Sequence, residues 1–447
     1  MIDVDSLPAV GGAAGWWRVK TLRSSSSRAS EPAHAEGALP FWALMTFTFV
    51  LLIAPQEFIP ALGSLRPAMV AAVAGIAAHV FGRIVRRRPI SVWTPEIAAA
   101  GCLVCWAIVT IPFSYWPGGS VSFLLGIYLK TVAVFWLLCN VVTTVPRLRT
   151  MAWGLVLMSA PLALTAVRNH LAGTFAPAAQ PVLSRIVGYD APLALNPNDL
   201  ALVLNLIIPL AVALLLAGQT VSVRLVLLAV VALDSVAVIL TFSRTGFLTL
   251  VAIVAATLWK LRRRPEAPWV WGVLVLALAC VPFLPAGYSD RVGTIADVNS
   301  DPTGSSQARW GDMVAATRFV ARSPFVGAGI GQDILALNEE RGARWVEVHD
   351  TYLEYAVELG IPGLVLFLGL LAASIRSARY AQRVSAGLAA RRELFHLAEG
   401  IEISLLGFTV AAVFSPGGYY FVFYYFAGLA VAARVCASDL ERVRAAA

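Results

Sequence analysis

Twelve apolar runs, each close to the length needed to cross a bilayer, recur along this chain and leave few folds open to it. A helix crosses the hydrocarbon layer in about 20 residues. Runs of that kind cover 39–58, 67–85, 95–115, 120–142, 150–167 and 199–217. Six more cover 223–241, 245–260, 268–285, 358–376, 399–416 and 419–436. Lipid offers no hydrogen bonds, so each crossing segment must satisfy its own backbone. The sequence therefore predicts an all-α polytopic membrane protein with about twelve transmembrane helices. Only 13% of the residues are charged and 59% are hydrophobic, with a mean hydropathy of +0.76. A water-soluble domain carries near a quarter charged residues, so that class is excluded. Residues 1–37, rich in Ser, Ala and Gly, read as a disordered cytoplasmic tail without a cleavable signal, ahead of a single transmembrane domain over 38–447.

The net charge of +8 would fit nucleic acid if the basic residues formed one surface. They instead mark alternate connections: Arg83, Arg86, Arg87 and Arg88 after the second run, then Arg147 and Arg149 before the fifth. Arg224 precedes the seventh, and Lys260, Arg262, Arg263 and Arg264 follow the eighth. Arg376, Arg379, Arg383, Arg391 and Arg392 lie between the tenth and eleventh, and Arg434, Arg442 and Arg444 end the chain. Counting twelve spans puts every cluster on one side, so the positive-inside rule predicts a bacterial inner-membrane protein with both termini cytoplasmic. The basic excess is an orientation signal, and no nucleic-acid partner is expected.

Two long connections then fall outside, 168–198 and 286–350. The larger carries Trp310, Met313, Val314, Thr317 and Val320 at helical spacing, with Arg309, Asp312, Arg318 and Arg322 off that stripe. This predicts an amphipathic helix over 307–322 near the outer face, stopped by Ser323-Pro324 and followed by a flexible Gly327-Ala328-Gly329-Ile330-Gly331. No internal repeat at 20–50 residues is visible.

Metal and redox chemistry find little support. Cys102 and Cys105 form a C-x-x-C within an apolar run, with no second Cys or His pair at metal spacing. His34, His79, His170, His349 and His396 are scattered, and neither a metal nor a cofactor is expected. Four other places carry chemistry. In Thr241-Phe242-Ser243-Arg244-Thr245-Gly246, the tight hinge between two spans, Arg244 stands at the outer boundary, either anchoring a span or holding phosphate oxygens bidentately. Arg309, opening the amphipathic helix after Ser305-Ser306-Gln307, lies either on a solvated face or on the same anion; Arg318 and Arg322 are weaker versions of this case. In His349-Asp350-Thr351-Tyr352-Leu353-Glu354, where the loop re-enters the membrane, an imidazole suits a general base, with Asp350 and Glu354 placed to orient it. Lys130 and Asp234, each near mid-span, suggest an ion pair between two helices or an ion pathway.

Taken in order, these stretches resemble the O-antigen ligase and O-antigen polymerase superfamily of GT-C-type membrane glycosyltransferases. Asn196-Pro197-Asn198-Asp199-Leu200-Ala201 looks like the family's polar entry to a span, and Thr241 to Gly246 matches its T-x-S-R-[GT] hinge. Arg309, fifteen residues before Pro324 and followed by Gly327-Ala328-Gly329, matches an Arg-helix-Pro-x-x-G-x-G loop. His349, with nine residues between Asp350 and Gly360 and ending in Gly363, resembles the ligases' H-[NSQ]-x9-G-x-x-[GTY] element. Asp350 departs from it, as does Met313 where Trp is common, and Arg318-x10-Gly329 also fits a polymerase pattern. The likeness covers about 190–370.

The resemblance implies transfer of an oligo- or polysaccharide from undecaprenyl diphosphate to an acceptor hydroxyl at the periplasmic face, as in lipopolysaccharide biosynthesis. It gives His349 the acceptor, Arg244 and Arg309 the donor diphosphate, and supporting places to Ser243, Arg318, Asp350 and Glu354. No metal is needed in this scheme, since Arg meets the leaving group's charge. The partners would be the lipid-linked glycan and a lipid or glycan acceptor. An O-antigen-type polymerase and a protein O-glycosyltransferase differ only in acceptor. Outside the enzymes, a secondary solute transporter would use Lys130 and Asp234.

Overall fold

The computed structural model describes residues 37–446 except 176–184, 187–188, 190, 192–193, 195, 266–267, 269–270, 273, 276–278, 280–281, 283–284, 286, 296–300 and 302–303. The expected tail lies outside the described residues, as does much of the run at 268–285. The described residues are built from helices: α1 (Ala38–Ile53), α2 (Pro67–Val85), α3 (Pro95–Thr110), α4 (Pro117–Val141), α5 (Val145–Leu171), α6 (Pro197–Leu216), α7 (Val221–Leu240) and α8 (Arg244–Leu261). The expected outer loop holds α9 (Ser305–Arg322) and α10 (Asp333–Arg341), and the chain closes with α11 (Thr351–Ser385), α12 (Arg392–Ala411) and α13 (Phe421–Ala446). Among the described residues ten helices are long and apolar enough to cross a membrane, and α1 is a shorter apolar helix. The protein is thus an all-α, multi-pass membrane protein.

The ends of these helices follow from their caps. Asn196 accepts from the backbone N–H of Asn198 and Asp199 at 2.9 and 3.0 Å, with Pro197 as the first residue of α6. Ser243 accepts from Gly246 N–H at 3.1 Å to open α8. Asp350 accepts from Tyr352 and Leu353 N–H at 2.8 and 3.0 Å to open α11.

Helices α6, α11, α12 and α13 form the centre, with α12 packed on α6, α8 and α11. The apolar window of α12 is 83% buried by protein, against 22% for α2, which places α2 at the lipid-facing rim. Basic residues gather at one end of the bundle. Arg264 donates to both carboxylate oxygens of Glu399, at 2.8 and 2.6 Å. Lys260 and Arg379 hold Glu402 at 2.5 and 2.7 Å, and Arg434 reaches Ser377, which itself donates to Glu96 at the start of α3. Arg244 and His349 lie at the starts of α8 and α11, so they stand at the other end.

The pairing expected for Lys130 and Asp234 does not form. Asp234 accepts instead from Ser159 of α5 at 2.8 Å, while Lys130 is exposed. The reason is packing: α7 lies against α5 and α6, whereas α4 lies against α13.

The most consequential local feature is a break in α11. Gly360 has φ 68° and ψ −175°, and helical bonding cannot continue through it. The segment after Pro324 covers the break. Ala328 and Gly329 N–H donate to the carbonyls of Val357 and Glu358 at 2.7 and 2.9 Å, and Ile361 N–H donates to Pro324 O at 2.7 Å. The Trp106 indole donates to Leu359 O at 2.8 Å. Every one of these groups would otherwise lack a partner at the membrane boundary. The run expected to be flexible is therefore docked, and its glycines serve close approach. A Cβ on Gly327 would lie 2.5 Å from Glu358 O, and one on Gly360 would lie 2.4 Å from Phe325 O.

Substituting Gly329→Ala puts a methyl 2.2 Å from Ser114 Oγ at a positive φ, whereas Gly311→Ala on α9 meets nothing within 4 Å. Gly329→Ala is expected to cost about 2 kcal/mol or more and lower the melting temperature in detergent. Gly311→Ala should leave it unchanged or raise it slightly. Equal melting curves would show that the segment is not held as described.

Candidate active site

Arg244 is the first residue of α8, and the turn before it fixes where it points. Phe242 takes a left-handed conformation at φ 51°, and Thr241 Oγ accepts from Ser243 N–H at 3.2 Å. Ser243 Oγ also donates to Asn198 Oδ1 at 2.8 Å, tying the hinge to the start of α6. Arg185 donates to the same oxygen at 2.7 Å and to Thr241 O at 3.1 Å. The supporting place expected for Ser243 is thus structural: it holds the turn that presents Arg244.

The Arg244 guanidinium reaches the start of α9. It pairs with Asp301 at 3.0 Å, and donates to Thr294 Oγ1 at 3.0 Å, to Ser305 Oγ at 2.9 Å and to Ser306 Oγ. Asp301 in turn accepts from Ser306 N–H at 2.9 Å and from both serine hydroxyls. These bonds use Nη1 and Nη2 of a group with five N–H donors. Asp301 was not singled out from the sequence, because nothing in the sequence brings a loop aspartate to a hinge arginine about sixty residues earlier.

Arg309 lies one helical turn beyond Ser305, and its charge acts on His349. His349 is half-buried, and Nδ1 is 3.0 Å from Glu347 O. A carbonyl only accepts, so Nδ1 carries the proton and Nε2 keeps its lone pair. Burial pushes the imidazole pKa below its ordinary value, and the cations Arg309 and Arg341 push the same way. The bond to Glu347 O and the charge of Asp312 oppose them. Asp312, buried on the inner face of α9, is held by Arg341 of α10 and by Arg344 at 3.3 Å. Arg244 thus bonds to the start of α9, the helix that carries Arg309, and the charge of Arg309 acts on His349, all at the loop end of the bundle.

The remaining expected residues are employed elsewhere. The Asp350 carboxylate caps α11, and burial raises its pKa against the two capping N–H groups. Glu354 accepts from Gly417 and Gly418 N–H, each at 3.2 Å, and pins the connection between α12 and α13. Arg318 is exposed, about two and a half turns along α9 from Arg309 and so on its opposite face. The stripe predicted for α9 is also displaced: Asp312, Ala315, Ala316 and Phe319 form its buried face, while Trp310 and Thr317 are exposed. The alanines allow close packing on α10 and α11, and Arg341 neutralises the aspartate, so small and paired residues displace larger apolar ones.

One titratable group went unnoticed in the sequence. The Glu347 carboxyl is pushed up to about 7 by burial and by the negative charges of Asp333 and Asp199. Asp333 accepts from Val348 N–H at 2.7 Å, and burial raises it as well. Burial makes most of this shift and acids from two other segments add to it, and neither is encoded in any local spacing.

The fold defines a polytopic α-helical membrane protein, and Arg244, Arg309 and His349 lie at one end of it. The model of one protein family, described as O-antigen ligase, matches residues 227–368, a stretch that holds Arg244, Arg309 and His349. That match supports placing the chain in the O-antigen ligase superfamily, and with it an O-antigen ligase-like role in membrane glycosyl transfer. No curated protein matches the chain.

The lowered pKa gives a sign for the pH dependence. His349 is neutral at neutral pH and gains a proton only as pH falls through its depressed pKa, so loss of the base falls below about pH 6.5. Arg309→Gln removes a cation that depresses it, and the acidic limb of kcat/KM is expected to move to higher pH. A limb that stays in place would show that Arg309 does not act on the imidazole.

Proposed function

We propose that this protein transfers an oligo- or polysaccharide from undecaprenyl diphosphate to an acceptor hydroxyl at the periplasmic face, as an O-antigen ligase. What supports this reading is that Arg244 bonds to the start of α9, that Arg309 of the same helix acts on His349, and that all three fall within the matched region. His349 Nε2 takes the proton of the acceptor hydroxyl as its oxygen attacks the anomeric carbon. The bond from that carbon to the diphosphate oxygen breaks, and the lipid diphosphate leaves carrying the electron pair. Arg244 and Arg309 meet the charge as it grows, the electrostatic work that a metal performs in other transferases. Asp301 holds Arg244 until phosphate oxygens compete for the guanidinium.

Residues 38–447 act as one membrane domain in this scheme, in the bacterial inner membrane. Orientation is argued from charge: Lys260, Arg264, Arg379 and Arg434 gather at the end opposite His349. The positive-inside rule puts that end, with both termini, in the cytoplasm and the site in the periplasm. The acceptor is taken to be lipid A–core, with a second lipid-linked repeat or a protein hydroxyl as the polymerase and protein O-glycosyltransferase alternatives. Transport remains the non-enzyme alternative, without the Lys130–Asp234 pair, since Asp234 is bonded to Ser159.

The test is deletion of the gene, complemented with wild type, His349→Ala or Arg244→Ala, with lipid-linked and surface glycans profiled by gel and mass spectrometry. Wild type should restore the surface glycan. His349→Ala should leave long glycan on the lipid carrier, with transfer reduced about 10²–10⁴-fold. Arg244→Ala should weaken donor binding as well. Single repeats reaching the acceptor would make the protein a polymerase, and an unchanged profile would remove glycan transfer altogether.

A further inference from the structure

The peptide group between Glu347 and Val348 is bonded on both sides. Its carbonyl oxygen lies 3.0 Å from Nδ1 of His349, and its N–H donates to Oδ2 of Asp333 at 2.7 Å. A trans peptide points its C=O and N–H in opposite directions, so a hold on one aims the other. We propose that Asp333 is a positioning residue for His349 and acts through this peptide, with imidazole, peptide and carboxylate in one hydrogen-bonded chain. The inference rests on the glycan-transfer reading for the task it gives His349.

Asp333 is the first residue of α10, and the chain before it is anchored. Gln332 N–H donates to Gly329 O at 3.1 Å, so α10 begins where the segment covering the break in α11 ends. Arg341, in the last turn of α10, donates to Arg344 O at 3.1 Å and to Val346 O. Helix α10 therefore grips residues 344–348 from both of its ends, and His349 comes one residue after the last grip. On the far side of His349, Thr351 N–H donates to Ala412 O at 2.7 Å. The acids nearer to His349 in sequence are committed elsewhere: Asp350 caps α11, and Glu354 holds Gly417 and Gly418.

A negative group accepting from a peptide N–H drives electron density through the amide onto the carbonyl oxygen, which becomes a stronger acceptor. Nδ1 of His349 then keeps its proton, and Nε2 keeps the lone pair that a base needs. When Nε2 takes the proton of the acceptor hydroxyl, the charge on the ring is met by the carbonyl and, behind it, by the carboxylate. A carboxylate bonded directly to Nδ1 does this for other catalytic histidines. Here a peptide stands between them. No proton travels along the chain: the peptide keeps its own, and Asp333 stays ionised.

Charged groups of both signs face this chain. Around His349 stand Arg309 and Asp312 of α9 and Arg341 of α10. Around Asp333 stand Arg341, Glu347, and Glu354 and Glu358 of α11, with Asp333 N–H 3.4 Å from Glu358 Oε1. Burial raises the pKa of Asp333, while the N–H groups of Val348 and Ile334 and the charge of Arg341 favour its ionised form. Asp333 is 5% exposed and does not reach a substrate, so its loss belongs in kcat rather than KM.

The experiment uses the full chain in lipid bilayers with isotope-labelled histidine, and nitrogen NMR reads the tautomer and pKa of His349, assigned by its loss in His349→Gln. Glycan transfer is assayed in parallel. In wild type Nδ1 should carry the proton, with a pKa below the ordinary 6.5. Asp333→Asn keeps an acceptor for Val348 N–H but removes the charge. The tautomer should persist, the imidazole pKa should fall further, and kcat should drop about 10–100-fold with KM nearly unchanged. The acidic limb then moves to lower pH, opposite to the shift in Arg309→Gln. Asp333→Ala removes the acceptor and should mix the tautomers. Glu339→Gln, exposed on α10 and bonded to Tyr115 at 2.9 Å, should change nothing. A wild-type imidazole pKa or a wild-type kcat in Asp333→Asn would overturn the proposal, and so would an equal shift in Glu339→Gln. If Asp333→Ala fails to fold, Asp333→Asn decides alone. Shifted His349 signals without any transfer by wild type would sink the transfer reading and leave the hold of Asp333 on the imidazole standing. Unshifted signals with transfer intact would sink only the proposal.

Discussion

The arrangement at the loop end depends on how one broken helix is repaired. A transmembrane helix that stops at Gly360 leaves carbonyl groups and an N–H without partners, and lipid supplies none. Each unmet group would cost several kcal/mol. The turn segment from Pro324 to Gly329 meets them from one side and Trp106 from another. Once that segment is seated, α9, immediately before it, and α10, just after it, have little freedom. Arg309 and Asp312 are carried into place by α9, and Arg341 by α10, while His349 precedes the repaired helix itself.

Charge balance then sets the chemistry. Arg244 and Arg309 stand in different environments. Arg244 is bound to Asp301 and the two serines that open α9. Arg309 acts on His349, where its charge, after burial, pushes the imidazole pKa down. Asp312 is occupied by Arg341 and Arg344, so it offers His349 only a partial counterweight. In the proposed reaction, burial and the nearby cations keep the imidazole pKa low, which suits a base working beside an anionic donor.

Periodicity and punctuation carried much of this. The apolar runs predicted the helices, and the Asn196, Ser243 and Asp350 caps sit where polar residues interrupt those runs. Arg244, Arg309 and His349 stood out because each is a charged or titratable residue at a predicted membrane boundary. The same logic misled at α9, where a hydrophobic stripe through Trp310 was taken for the inner face. Burial there is decided by how closely α10 and α11 can approach, which favours Ala315 and Ala316, and by Arg341 paying the cost of Asp312. Asp350 and Glu354 looked like partners of His349 by proximity in sequence, yet helix geometry turns their carboxylates towards a cap and towards Gly417 and Gly418.

By itself the sequence determined that this chain must cross a membrane many times, since no other solvent tolerates such a density of apolar residues. It also determined the alternation of basic connections and the local chemistry of each hinge, because caps, turns and charge placement act over a few residues. Tertiary structure alone decided which hinges meet. It brought Asp301 to Arg244, placed Glu347 near Asp333 and Asp199, and separated Lys130 from Asp234. Those outcomes depend on which helices pack together, a choice made by side-chain shape across the bundle and by the backbone groups exposed at Gly360. Neither leaves a trace at a fixed spacing along the chain.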